Sequence, residues 1–355
     1  MISRVTSKTR QSSGSLSLHR RARQVTLLLA GCLLAALGLA LATGSVPIPV
    51  HEIARRLAGW MGGHPVGDAI DRILFAARLP RVLLGMLAGS SLALAGLAAQ
   101  TLFRNPLASP SIIGVSNGAA LGAVGGLLLA ASVGIHGTAA AITASVATGL
   151  AVTAVVFALG RRGSYFGHGL LLAGIAVGAL CSSLTTAMLD LAGERLQVIV
   201  FWLMGGLWQA NWQHVLILAL ASLAGLACMV VWSRDLNVFL LGERTARDLG
   251  LDVPKLQRRL LALIAVLASV TVSLTGVIGF IGLIVPHLVR LLVGADHRRL
   301  VVPVALGGAL LLVLADTCAR TLAAPAEIPV GIFTAVVGAP VFLWLLQTRR
   351  TQAAP

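Results

Sequence analysis

Only 11% of this chain is charged, so the ionisable residues that interrupt its apolar runs are the first candidates for chemistry. Arg78 and Arg81 open an uncharged run that reaches Phe103. Arg320 closes another, with Asp316 four residues before it. An i,i+4 spacing puts Asp316 and Arg320 on one helix face. An ionisable group inside an apolar helix is a functional candidate with a nearby partner, and we read this pair as structural, Asp316 orienting Arg320. A second group is the compact polar segment Gly242-Glu-Arg-Thr-Ala-Arg-Asp-Leu-Gly250. A third is Asn105-Pro106-Leu107, where proline ends the hydrogen-bond ladder of the preceding helix. These residues suit charge recognition and chain turning, not bond breaking. The two lysines, Lys8 and Lys255, follow no GxxxxGK[ST] phosphate loop. No HExxH, GxSxG or paired-carboxylate constellation stands out, so an enzyme is the disfavoured class. Cys32, Cys181, Cys228 and Cys318 sit in apolar runs without CxxC spacing and read as small packing residues. The eight histidines are scattered. His287 reads as structural, His51, His64 and His136 as outward-facing, and no metal site is assigned.

The elements that hold these residues are membrane helices. The chain is 57% hydrophobic with a mean hydropathy of +0.92, against about 25% charged residues in an ordinary soluble domain. The uncharged run 82–103 has the ~20 residues that cross ~30 Å of hydrocarbon. Residues 105–160 contain no Lys, Arg, Asp or Glu, too long for one helix and right for two, with a break near Ala131–Gly137. The fold class is an all-α polytopic membrane protein of about ten transmembrane helices, at roughly 25–44, 79–102, two within 105–160, 169–189, 213–232, 260–277, 281–293, 300–319 and 329–346. A basic tail, 1–24, precedes the transmembrane domain 25–348, and a second tail, 349–355, follows it. The uncharged run from Val25 to Val50 exceeds a signal-peptide core, so the first span is expected to be retained. Trp202, Trp208 and Trp212 suggest an interfacial segment. Gly118/Gly122/Gly126, Gly85/Gly89 and Gly174/Gly178 are small-xxx-small spacings for close helix packing. Spans 2–5 and 7–10 match in number, start on opposite sides, and each carries a Gly/Pro-interrupted stretch after its first helix, Asn105–Gly118 and Gly276–Pro286. That pattern predicts an inverted repeat.

The net charge of +15 would suit nucleic acid, but its distribution does not. With both termini inside, the inside segments carry 20 Lys/Arg against 5 Asp/Glu, and the outside segments carry 7 of each. This is the positive-inside asymmetry of a membrane protein, and it leaves no role for a nucleic-acid partner.

The motifs Arg78-Leu-Pro-Arg81, Arg104-Asn-Pro-Leu-Ala108, Gly242 to Gly250 and Gly279-Phe-Ile-Gly-Leu-Ile-Val-Pro-His287 resemble those of the permease subunits of binding-protein-dependent ABC importers. The family is the one that carries iron-siderophores, haem and vitamin B12, and the likeness spans residues 25–348. The resemblance implies a homodimer in the bacterial inner membrane, two cytoplasmic ATPase subunits and one periplasmic binding protein. It also implies that this chain binds no cofactor and hydrolyses nothing, ATP and Mg being used by the ATPase. Within the internal loop 234–259, Glu243, Ala246, Arg247, Leu249 and Gly250 match the family's ATPase-coupling helices. Arg78, Arg81 and Arg320 match arginines that meet the binding protein, and Asn105 and Leu107 match a cytoplasmic gate, with Ser164–His168 as a weaker second constriction. The apolar, oxygen-poor spans favour haem as cargo, with ferric siderophore or cobalamin as alternatives. An ATP-independent secondary carrier is the reading from another class. The long polar loop and the lack of further carboxylates for a proton relay speak against it.

Overall fold

The computed structural model describes residues 3–44, 46–63, 67–132, 137–160, 166–324 and 326–352. It is helical throughout, with no strand among the described residues. Among the described residues seven helices are long and apolar enough to cross a membrane, and three shorter apolar helices bring the set to the ten expected.

The first helix, α1 (Ser3–Ala42), runs unbroken past residue 24, so the basic tail and first span share one helix. An amphipathic α2 (Val50–Met61) follows. Next comes α3 (Ala69–Asp71), which passes through a π-helical turn (Arg72–Arg78) straight into α4 (Leu79–Leu102). The first block continues with a 3-10 turn (Pro110–Ile113), α5 (Val115–Ser132), α6 (Gly137–Gly160) and α7 (Phe166–Asp190). The short α8 (Leu196–Leu203) and the spanning α9 (Trp212–Val231) lead to α10 (Ser233–Phe239) and α11 (Glu243–Asp248). The second block is α12 (Val253–Thr275), α13 (Ile281–Val293), α14 (His297–Thr321) and α15 (Val330–Gln352).

Helix α4 is the centre. From Leu92 to Leu102 every residue is buried, and α4 packs on α14, α12, α9 and α13. The packing between blocks is reciprocal: α4 crosses α14 and α13, while α12 crosses α6 and α5, the third and second helices of the opposite block. Small residues allow these crossings. A Cβ at Gly89 would lie 2.1 Å from the Gly308 carbonyl on α14, and one at Gly149 on α6 would lie 2.3 Å from Ser269 Oγ on α12. The two interrupted stretches also correspond. Gly114 (φ 77°) precedes α5 and Phe280 (φ 67°) precedes α13, both in the left-handed region.

The glycine stripe of α5 faces α6. A Cβ at Gly122 would sit 1.8 Å from Thr148 Oγ1 and one at Gly126 2.7 Å from the Ala140 carbonyl. Thr148 Oγ1 donates to the Gly118 carbonyl at 2.8 Å. With little hydrophobic drive between helices in lipid, such close packing supplies the association.

Two expectations change. The helix expected from residue 260 already begins at Val253, within the expected loop 234–259, where the Asp252 side chain accepts from Lys255 N (3.0 Å) and Pro254 occupies the first turn. Trp202 is buried against Ala119, Ala123 and Val272 rather than lying at an interface. Trp212 does stay at the surface, its ring stacked near Trp60 and its Nε1 donating to the Phe75 carbonyl at 2.9 Å. The expected break between spans 3 and 4, and Arg161-Arg162, lie at or in 133–136 and 161–165, outside the described residues.

Candidate functional site

Two polar sites stand at opposite ends of α4. At its N-terminal end, the packing of α4 on α14 brings Arg81 to Asp316. Arg81 Nη2 lies 2.9 Å from Asp316 Oδ1, and Nε lies 3.1 and 3.2 Å from its two oxygens. Arg81 Nη1 lies 3.0 Å from both oxygens of Glu327. The sequence pairs Asp316 with Arg320. In the structure that contact is the longer one, 3.9 Å from Nε to Oδ2, because the Arg320 head turns away to donate to the Ala40 carbonyl at the end of α1. Arg78, just before α4, does the same, donating to the carbonyls of Leu41 (2.7 Å) and of Val46 beyond the helix. Both arginines are buried. The last carbonyls of a helix have no partner within it, and here two guanidiniums supply one. Arg78, Arg81, Arg320 and Glu327 line a cavity of about 420 Å³ with Trp208 and Leu207 at its side.

Next to this cluster, α2 is tied down by Arg56, which contacts Glu52 (2.7 Å), Asp68 (2.6 Å) and Asp71. The Arg56 hydrogen bonds hold the Asp68 carboxyl down at about 2, with the backbone N–H of Asp71 helping.

At the C-terminal end of α4, Arg104 (φ 48°) turns the chain out of the helix. Its guanidinium lies over the Phe239 ring (5.6 Å) and reaches Glu243 Oε1 at 3.3 Å. Glu243 also accepts from Gln257 Nε2 (3.2 Å) and contacts Arg247 Nη2 (3.4 Å). One carboxylate thus joins α4, α11 and α12. Phe239 and Ala246 are fully buried and seat the α10–α11 pair on the core. Leu241 and Leu249 point the other way and are more than 60% exposed, an apolar surface suited to a partner. Gly250 (φ 84°) closes α11, its N–H donating to the Arg247 carbonyl at 2.8 Å. The Asn105 side chain accepts from Leu107 N (2.9 Å) and fixes the turn before Pro110. Arg104, Asn105, Gly167, His168, Glu243 and Arg247 share a cavity of about 540 Å³. Of the weaker second constriction, residues 164–165 lie outside the described residues.

Sequence reasoning missed a third group. His297 at the start of α14 is fully buried, with Nε2 2.8 Å from Thr101 Oγ1 of α4 and Nδ1 2.9 Å from Asn237 Oδ1 of α10. Asn237 Nδ2 donates to Asp296 Oδ1 at 2.6 Å. That hydrogen bond, the Arg298 backbone N–H and nearby arginines outweigh burial and lower the Asp296 pKa. The only hint in the sequence is Asp296 in a capping position. Among the described residues no three His, Cys, Asp or Glu side chains group as metal ligands would.

A bundle of apolar helices in two reciprocally packed blocks, with charged clusters at both ends of its central helix, defines a multi-pass membrane protein. The chain belongs to the FecCD transport family, whose model matches residues 27–348. It is 43% identical over 80% of its length to the hemin transport system permease protein HmuU of Yersinia pestis, covering 86% of that protein. It is 41% identical over 88% of its length to the cobalamin import system permease protein BtuC of Halobacterium salinarum, covering 82% of it. A solved structure described as an inward-facing conformation of a metal-chelate type ABC transporter superposes with a TM-score of 0.80 at 32% identity, covering 92% of this chain and 99% of that one.

Proposed function

We propose that this chain is the inner-membrane permease subunit of an ATP-driven importer whose cargo is a bulky iron chelate, haem foremost. Two copies form the pathway, two cytoplasmic ATPases bind the α10–α11 side, and a periplasmic binding protein docks at the Arg78–Arg81–Arg320 end, with both termini cytoplasmic. The observation that carries this reading is the α10–α11 pair. It is seated by Phe239 and Ala246, wired to α4 through Arg104 and Glu243, and presents Leu241, Leu249 and Gly250 outward. Force applied there reaches the central helix directly. Glu243, Ala246, Arg247, Leu249 and Gly250 are the coupling residues in this scheme, and Asn105 and Leu107 form the inner gate. Haem is favoured over ferric siderophore and cobalamin because the spans offer few oxygen donors, and the hemin permease relative supports the choice.

Reconstitution in liposomes with an ATPase and a binding protein, followed by a panel of haem, ferric siderophore and cobalamin, tests the proposal. ATP-dependent haem uptake is expected, together with a Soret band on the loaded binding protein. Uptake driven by a proton gradient without ATP would overturn the importer reading. ATP-driven uptake of cobalamin or siderophore alone would overturn only the cargo.

A further inference from the structure

The three outer arginines are not equivalent. Arg78 and Arg320 are buried and spent on the carbonyls of Ala40 and Leu41 at the end of α1 and of Val46 just beyond it. Their geometry serves to hold α1 against α4 and α14. Arg81 is the guanidinium placed between protein and solvent, and it is shared by two carboxylates of different standing. Asp316 is buried in α14 at the α4 contact, its side chain 5% exposed. It cannot leave without separating the two helices. Glu327 lies on the connection between α14 and α15, its side chain 40% exposed, and can swing into water.

We propose that Glu327 is a built-in substitute for an acidic side chain of the docking partner. It occupies Arg81 while the outer face is free and gives way to a partner carboxylate on docking. This rests on the docking reading given above. The cavity beside Arg81 is large enough for a carboxylate-bearing side chain, and Glu327 forms part of its wall. Three arginines and two acids leave the cluster at one net positive charge, and an entering carboxylate meets Glu327 as a like charge. A half-exposed ion pair is weak, so the exchange is cheap for a partner that also fills the cavity. A lone anion that merely replaces Glu327 gains nothing. Arg81 is thereby kept paired and oriented between docking events, and selectivity for the partner comes from the competition.

The test is the association of the purified binding protein with the assembled transporter in nanodiscs, followed kinetically at low and high salt. Glu327→Gln removes the competitor and keeps the shape. The expected result is an association constant raised about two- to five-fold, the worth of an exposed ion pair, with a steeper loss on adding salt. In an Arg81→Gln background the same change should have no effect. Unchanged or weaker binding by Glu327→Gln, when Arg81→Glu abolishes docking, would overturn the substitute role and leave the docking reading standing. Full binding by Arg81→Glu would overturn the docking reading itself and the inference with it.

Discussion

Asp316→Asn tests the outer cluster most directly. Asp316 is 3% exposed and faces Arg81 at 2.9 Å and Arg320 at 3.9 Å. The amide keeps the shape and deletes the charge. Two unit charges at ~4 Å attract by ~4 kcal/mol at an effective dielectric of ~20. Removing one partner of a buried pair costs about 3–5 kcal/mol, because the other charge is left uncompensated. Glu327 still holds Arg81, so the loss should fall at the lower end, about 3 kcal/mol. It should also be assigned to the right partner. In double-mutant cycles, Asp316→Asn with Arg81→Gln should show a coupling of about 2 kcal/mol or more, and with Arg320→Gln less than about 1 kcal/mol. Denaturant or thermal unfolding of the purified protein in detergent gives these values. A loss below about 1 kcal/mol, or a stronger coupling to Arg320 than to Arg81, would refute the reasoning.

The remaining predictions concern the other end of the molecule, the packing stripe and pH. Leu249→Glu, at an exposed position, should leave the fold intact and loosen the ATPase; co-purification at normal stoichiometry with normal uptake would count against the coupling surface. Glu243→Gln removes the charge that Arg104 and Arg247 face and should uncouple ATP hydrolysis from transport, seen as hydrolysis that persists while uptake falls. Gly122→Leu must displace Thr148 and the Ala144 carbonyl, 1.8 and 2.3 Å from its Cβ; it should cut the yield of folded protein, and wild-type thermal stability would contradict the α5–α6 geometry. The Arg56–Asp68 contact lowers the Asp68 pKa from 3.8 to about 2. Its contribution is therefore complete above the unfolded value and lost as pH falls through the folded one. Asp68→Asn and wild type should differ in protease resistance of the α2 region at pH 5 and converge near pH 2. A difference that survives at pH 2 would show that charge is not the cause.

Span positions were legible because glycine, proline and charge mark where apolar runs stop. The ends of α13 fall at Ile281 and Val293 as expected, between Gly279 and Gly294, and α4 ends at Leu102, just before Arg104. The start of α12 was misplaced because Lys255, Arg258 and Arg259 read as loop, although long basic side chains can leave a helix for the interface. Charge pairing was the least legible. Local spacing offers Asp316 only Arg320, whereas its shorter contact comes from Arg81, 235 positions away. Thr101 and His297 are likewise 196 positions apart. Such contacts depend on which glycines let two helices approach, and a single chain written in one dimension does not state that. The contacts of Arg78 and Arg320 with the carbonyls of Ala40, Leu41 and Val46 were hidden for the same reason: the end of α1 carries no motif to announce it.

The crossing of α4 over α14 also sets a timetable for biosynthesis. Helix α4 enters the bilayer with Gly89 bare, Gln100 lacking the Leu283 carbonyl it donates to, and Thr101 lacking His297. About 195 residues separate Leu102 from His297, so at ~5–20 residues per second the ribosome needs roughly 10–40 s to deliver the partner. For that interval the most buried helix of the finished protein is a nascent segment held only by lipid, neighbouring early helices or the insertion machinery. The native core is therefore completed from its C-terminal third, and a ribosome that stalls before α14 emerges leaves the membrane with a permease whose centre has been made but not enclosed.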